Sequence, residues 1–171
     1  WGRSGYYQSG GAYGFRDQLQ DTLALLHATP WLAREQLMRC AERQFPQGDV
    51  QHWWHPPEGQ GVRSRFSAAC VASPRATCRR LRARGATRAR RPELQFVERG
   101  VLNPLEEAYY DQPQRSPEAA SLYEHCVRAI RHGLRVGAHG LPLIGCGDWN
   151  DGMNRVGHEG KGESVWLAWF L

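Results

Sequence analysis

The chain has almost no lysine: of its 22 basic residues all but Lys161 are arginine. It has no Cys-x-x-Cys pair either. Its cysteines, Cys40, Cys70, Cys78, Cys126 and Cys146, are five in number and widely separated. An odd, scattered set excludes a disulfide framework and a thiolate zinc site, and reads as reduced thiols, mostly buried. Also missing is a charged leader followed by an apolar run, and no stretch approaches the roughly 18 consecutive apolar residues of a membrane-spanning helix. These absences predict a cytoplasmic segment without membrane contact. Strand signals are poor throughout, and no repeat shows at periods of about 20 to 50 residues.

What is present suits a soluble domain: 171 residues, 41% of them apolar, with a net charge of +5. Such a charge would suggest a nucleic-acid partner, but its distribution does not. Residues 75–91 hold eight arginines and no acid, so the rest of the chain is net acidic. No aromatic residue interleaves the block, which argues against a nucleic-acid-binding arm. The chain begins at Trp1 and stops at Leu171 inside the apolar run Val165–Leu171, which predicts a fragment of one larger domain.

Helical periodicity carries most of the local signal. Phe15, Leu19, Leu23 and Leu26 predict a helix from Phe15 to about Ala28. Thr29-Pro30 reads as an N-cap with proline at the first position of a helix reaching about Gln44. Ser116-Pro117 repeats that signal before Ala119, Leu122, Cys126, Ala129 and Ile130, and Glu163 to Leu171 starts another helix. Residues 1–14 and Asp49–Pro57 read as ring-bearing loops, 59–67 as a polar turn and 92–115 as a proline-punctuated connection. The expectation is an all-α architecture.

The densest chemistry lies in Gly145-Cys146-Gly147-Asp148-Trp149-Asn150-Asp151-Gly152-Met153-Asn154. It sets two carboxylates, two carboxamides and an indole among glycines, as suits a binding or catalytic loop. An Asx-rich turn between helices would have the same composition. Aromatic faces with Asp, Asn, Gln and Arg are the ingredients of a sugar site, and glycosidic cleavage needs an acid at the leaving oxygen. Asp148 and Asp151 are both available for it. The pair His52 and His55 lacks a Cys or acid to complete a metal set, so no metal is expected. Glycine at Gly152 spoils a calcium loop, and no dinucleotide, phosphate-loop or nucleophile-elbow motif occurs.

Four segments, Gly10–Asp21, Gln51–Pro56, Gly61–Ser67 and Gly147–Asn154, resemble in order the catalytic domain of glycoside hydrolase family 94. The run Gly160–Leu167 is most similar to the β-1,2-glucan branch, the cyclic β-1,2-glucan synthases and related phosphorylases. The resemblance implies part of an (α/α)6 barrel and inverting phosphorolysis or glycosyl transfer on β-glucans, with β-1,2-glucan favoured and cellobiose-type substrates the alternative. Inorganic phosphate would be co-substrate, with no cofactor. By motif position Asp151 would be the general acid, with Trp149 and Arg63 in the glucose pocket. Asp148 would organise the loop, while Arg16, Asp17, Gln18, Asp21, Trp53 and Trp54 would line the cleft. The parent would be a soluble phosphorylase or a membrane-anchored synthase with this domain in the cytoplasm. A non-catalytic carbohydrate-binding helical domain is the competing reading.

One segment departs from the family pattern. After Arg63-Ser64-Arg65-Phe66-Ser67 the family continues with paired aspartates and an apolar, Trp-containing helix, whereas this chain has Ala68-Ala69-Cys70-Val71 and then the arginine block. A pocket carboxylate expected at position 69 is Ala69. Family-like sequence resumes near Glu93–Glu98. High-GC codons read out of frame yield Arg and Ala, so residues 68–91 read as the product of two compensating frameshifts; a basic surface segment is the alternative. Translating the underlying DNA in the other two frames is expected to give Ser-Asp-Asp followed by an apolar run. Failure to find it in either frame refutes the frameshift.

Overall fold

The computed structural model describes residues 9–66, 93–99, 103, 106–150 and 152–171. In chain order the elements are β1 (Tyr13–Gly14), α1 (Phe15–Thr22), a 3-10 turn (Leu23–Leu25), α2 (Pro30–Ala41), β2 (Gln51–His55), β3 (Gln60–Ser64), β4 (Glu93–Glu98), β5 (Ala108–Asp111), β6 (Gln114–Ser121), α3 (Leu122–Gly133), α4 (Asn154–Gly157) and α5 (Val165–Phe170). The strands form two antiparallel sheets, one in the order β1-β2-β3-β5 and the other pairing β4 with β6. The expected all-α fold is therefore corrected to a mixed one. The (α/α)6 barrel is not seen in these residues.

The helices follow from their apolar spacing. Phe15, Gln18, Leu19 and Thr22 of α1 are buried at i, i+3, i+4 and i+7, one continuous face. Pro30 opens α2 behind Thr29, where a missing N–H is harmless. Leu37 and Cys40 of α2 meet Phe15 and Leu19 of α1 over Val50 and Trp54, with Tyr13, Leu23 and Leu122 closing the edge of this core. The periodic signal at Leu23 and Leu26 overreached, because the helix tightens into the 3-10 turn after Thr22.

The strands escaped notice because they are short, polar and irregular. A register shift between Gln51 and Trp53 interrupts β2, while the regular alternation beyond it sends Trp54 into the core and leaves Trp53 half-buried on the other face. Ser116-Pro117 lies within β6, not at a helix start. Proline donates no ladder bond, and it sits where the β4–β6 register shifts between Gln95 and Val97. The true N-cap is Ser121, whose Oγ accepts the Glu124 N–H at 3.3 Å. Ser116 instead donates to Glu98 and accepts from the Glu118 N–H at 3.0 Å.

A buried ion pair joins the turn after α2 to the first sheet. The Arg63 guanidinium of β3 meets Asp49 twice, Nε to Oδ2 at 2.5 Å and Nη2 to Oδ1 at 2.7 Å, and Nη2 also donates to Gln47 Oε1 at 3.0 Å. Its plane lies 3.8 Å from the Phe45 ring centre. Burial alone would lower the Arg63 guanidinium, but the bond to Asp49, its charge and Tyr109 outweigh that and hold it raised. Asp49 itself is fixed by the turn, because the Phe45 N–H donates to its carbonyl at 2.8 Å. Gly48 occupies the turn with φ +96°, and a Cβ there would lie 2.3 Å from the Arg128 carbonyl of α3. Side chains are excluded both by the backbone and by the helix docked against it.

Removing one member of such a pair strands a buried charge, a loss of about 3–5 kcal/mol. Asp49→Ala is expected to lower the urea-unfolding free energy by that amount, whereas Asp49→Leu combined with Arg63→Met loses far less. A small effect of Asp49→Ala alone would show that the pair does not hold the turn.

Candidate active-site loop

Backbone pairing closes the base of the Asp- and Asn-rich loop. The Ile144 N–H donates to the Gly162 carbonyl and the Ser164 N–H to the Pro142 carbonyl, each at 2.8 Å. Residues 145–161 form the excursion between these ties. Beneath it, Phe66, just beyond β3, bridges Gly145 and packs under Gly147, where a Cβ would lie 2.3 Å from the ring. The glycine is required by that close approach.

Asp148 is buried, and its carboxylate organises the loop tip. Oδ1 accepts the Asn150 backbone N–H at 2.8 Å and its Nδ2 at 3.4 Å, an Asx turn across Trp149. Oδ2 accepts the Ser164 hydroxyl at 2.6 Å. All three contacts use Asp148 as an acceptor.

Trp149 is held from α1. The Arg16 guanidinium carbon lies 5.2 Å from the indole centre, and Nη1 donates to the Trp149 carbonyl at 3.3 Å. The indole also meets Phe170 of α5, at 4.5 Å between ring centres. Together with Trp166 and Trp169 these rings face Leu19, Gln20 and Leu23 across a pocket of about 400 Å³. Its walls are aromatic and aliphatic, suited to the apolar face of a sugar ring.

The sequence-derived candidates separate into groups. Arg16, Asp148 and Trp149 come together, and Asp17 Oδ1 lies 4.0 Å from Arg16 Nε. Asp17 and Asp21 are half-buried on α1. Gln18 faces the interior, donating to the Gly14 carbonyl at 3.1 Å and accepting from Gln36 at 2.8 Å. Arg63 is buried in the Asp49 pair, and Trp54 in the core, edge-on to Tyr13 and Phe15. Trp53 lies elsewhere on the sheet, 5.4 Å from the His55 ring and 5.6 Å from Tyr110. Asp151 lies outside the described residues, as does the arginine-rich segment 68–91.

Other chemistries find little support. Burial, with the charge of Glu107, pushes the Cys146 thiol up, the wrong direction for a nucleophile. Among the described residues no three His, Cys, Asp or Glu are grouped to hold a metal ion, and no helix is long and apolar enough to cross a membrane.

Comparison with known proteins decides the family. The Glycosyl hydrolase 94 superfamily, catalytic domain, matches residues 1–171. The chain belongs to that family. The cyclic beta-(1,2)-glucan synthase NdvB of Rhizobium meliloti (strain 1021) is 47% identical over 99% of this chain and 6% of its own length. Solabiose phosphorylase of Paenibacillus borealis is 30% identical over 91% of this chain and 17% of its own. The 3-O-beta-D-glucopyranosyl-beta-D-glucuronide phosphorylase of the same organism is 27% identical over 88% of this chain and 18% of its own. The chain thus spans less than a fifth of each of these three glycosyl hydrolase 94 relatives.

Two residues of the site were not foreseen, Ser164 and Phe66. Ser164 could have been found as a polar residue immediately before the apolar run Val165–Leu171, an ordinary N-cap signal. Phe66 carried no such signal, because its role is contact with a glycine 81 positions away.

Within the loop, Arg16→Met is expected to destabilise the fold by about 1 kcal/mol through the lost cation–π contact and hydrogen bond. It should also speed hydrogen exchange at Trp149. Unchanged exchange there would show that Arg16 does not hold the indole.

Proposed function

We propose that the chain supplies the acid loop and an aromatic wall of the sugar site to an enzyme that breaks or forms β-glucosidic bonds by inverting phosphorolysis. The observation that carries this reading is the occupation of Asp148. Three donors occupy most of its acceptor positions, which supports a structural role for Asp148 and leaves the proton donor to Asp151, the residue at the family's acid position by resemblance. Asp151 protonates the leaving glycosidic oxygen as the anomeric C–O bond breaks. An oxygen of inorganic phosphate attacks the anomeric carbon from the opposite face, giving glucose 1-phosphate and a shortened glucan. Phosphate takes the place of the water that an inverting hydrolase activates, and a second enzyme carboxylate is not required as base. The reverse reaction transfers glucose to an acceptor.

Trp149 forms a wall of the glucose pocket at the cleavage point, its indole held by Arg16 and Phe170. The substrate is a β-glucan oligosaccharide, with β-1,2 linkage favoured because the relative at 47% identity is a cyclic beta-(1,2)-glucan synthase. The domain works in the cytoplasm, and its partners are glucan and phosphate, not nucleic acid. Further substrate and phosphate contacts come from other parts of the catalytic domain, and these 171 residues alone are expected to release no glucose 1-phosphate.

The test completes the domain with the flanking segments of a phosphorylase relative and restores an in-frame segment at 68–91. Asp151→Asn is expected to lower turnover about 10²–10⁴-fold with glucan affinity retained. Unchanged turnover would remove Asp151 from the reaction. A completed domain that binds glucan but never turns over would be a binding module instead.

A further inference from the structure

We infer that Ser164 is a positioning residue for the acid loop, tying the start of α5 to the carboxylate that shapes the loop tip. The inference rests on Asp151 being the acid, as proposed above. Ser164 Oγ accepts the Leu167 N–H at 2.9 Å, the N-cap bond of α5. With that N–H directed at the oxygen, the hydroxyl proton points to Asp148 Oδ2 at 2.6 Å. Asp148 Oδ1 in turn receives the Asn150 N–H, and Asn150 immediately precedes Asp151 in the chain.

Both partners are buried, Ser164 to 3% exposure and Asp148 to 5%, so water is a poor substitute for either bond. The same α5 supplies Phe170 against the Trp149 indole. Helix, sugar platform and Asx turn are therefore linked through one hydroxyl. A shift of about 1 Å in such a support is enough to lower turnover by 10²-fold without touching substrate.

Three variants separate capping from positioning. Ser164→Thr keeps both hydrogen bonds, Ser164→Ala removes both, and Ser164→Asp keeps the cap while setting a second carboxylate against Asp148. Hydrogen exchange on the 171-residue chain is expected to show Leu167 protected in the Thr and Asp variants. Asn150 should be protected in the Thr variant only. In the completed domain, Ala and Asp are expected to lower kcat about 10–100-fold with glucan KM nearly unchanged, and Thr to restore it.

Asn150 protection unaffected by Ala and Asp, or kcat unaffected by them, would overturn the inference. A Thr variant as impaired as Ala would overturn it too. If the unmutated completed domain forms no glucose 1-phosphate, the proposed function fails, while exchange at Asn150 still decides whether Ser164 holds the loop.

Discussion

The buried pair between Arg63 and Asp49 is the constraint from which the rest of the structure is built outward. It fixes the turn leaving α2 to the middle of the first sheet, and that turn is where α3 docks over Gly48. Two residues beyond β3 the chain reaches Phe66, which props the loop at Gly145 and Gly147. A loss of register in β3 would therefore be felt at the loop. A buried ion pair adds little net stability, yet removing one partner is costly because it leaves the other charge buried and uncompensated.

The loop is held from three directions by different physics. Phe66 supports it by packing, Arg16 grips the Trp149 carbonyl and ring by a charge, and Ser164 ties Asp148 to a helix cap by a hydrogen bond. Such bracing suits acid catalysis at a glycosidic oxygen, where a proton must be delivered along one direction while a second reactant attacks from the other. It also gives two neighbouring aspartates different work. Asp148 spends its lone pairs inside the protein, and in the proposed mechanism the proton comes from Asp151 instead.

Much of this was legible in the sequence where the signal is local. The apolar spacing of Phe15, Leu19 and Leu37, and Thr29 before Pro30, announced two helices, and the Asx chemistry of Asp148 announced an organised turn. The β-structure was hidden, because β2 carries a register shift just before its tryptophans and β6 carries Pro117 at another. Both irregularities destroy the period-2 alternation by which strands are recognised. Long-range pairing was hidden as well: nothing local marks Asp49 as the partner of Arg63, or Ser164 as the partner of Asp148. Gln18 and Trp54 lie in segments that match the family's motifs and face the interior.

The stereochemistry of the product tests the central claim most directly. Proton NMR of the completed domain acting on a β-1,2-glucan in phosphate buffer should show the anomeric signal of α-glucose 1-phosphate growing as phosphate is consumed, since attack opposite the leaving oxygen inverts a β-glucoside. The β-anomer of the phosphate, or free glucose with no phosphate consumed, would contradict a single inverting displacement by phosphate.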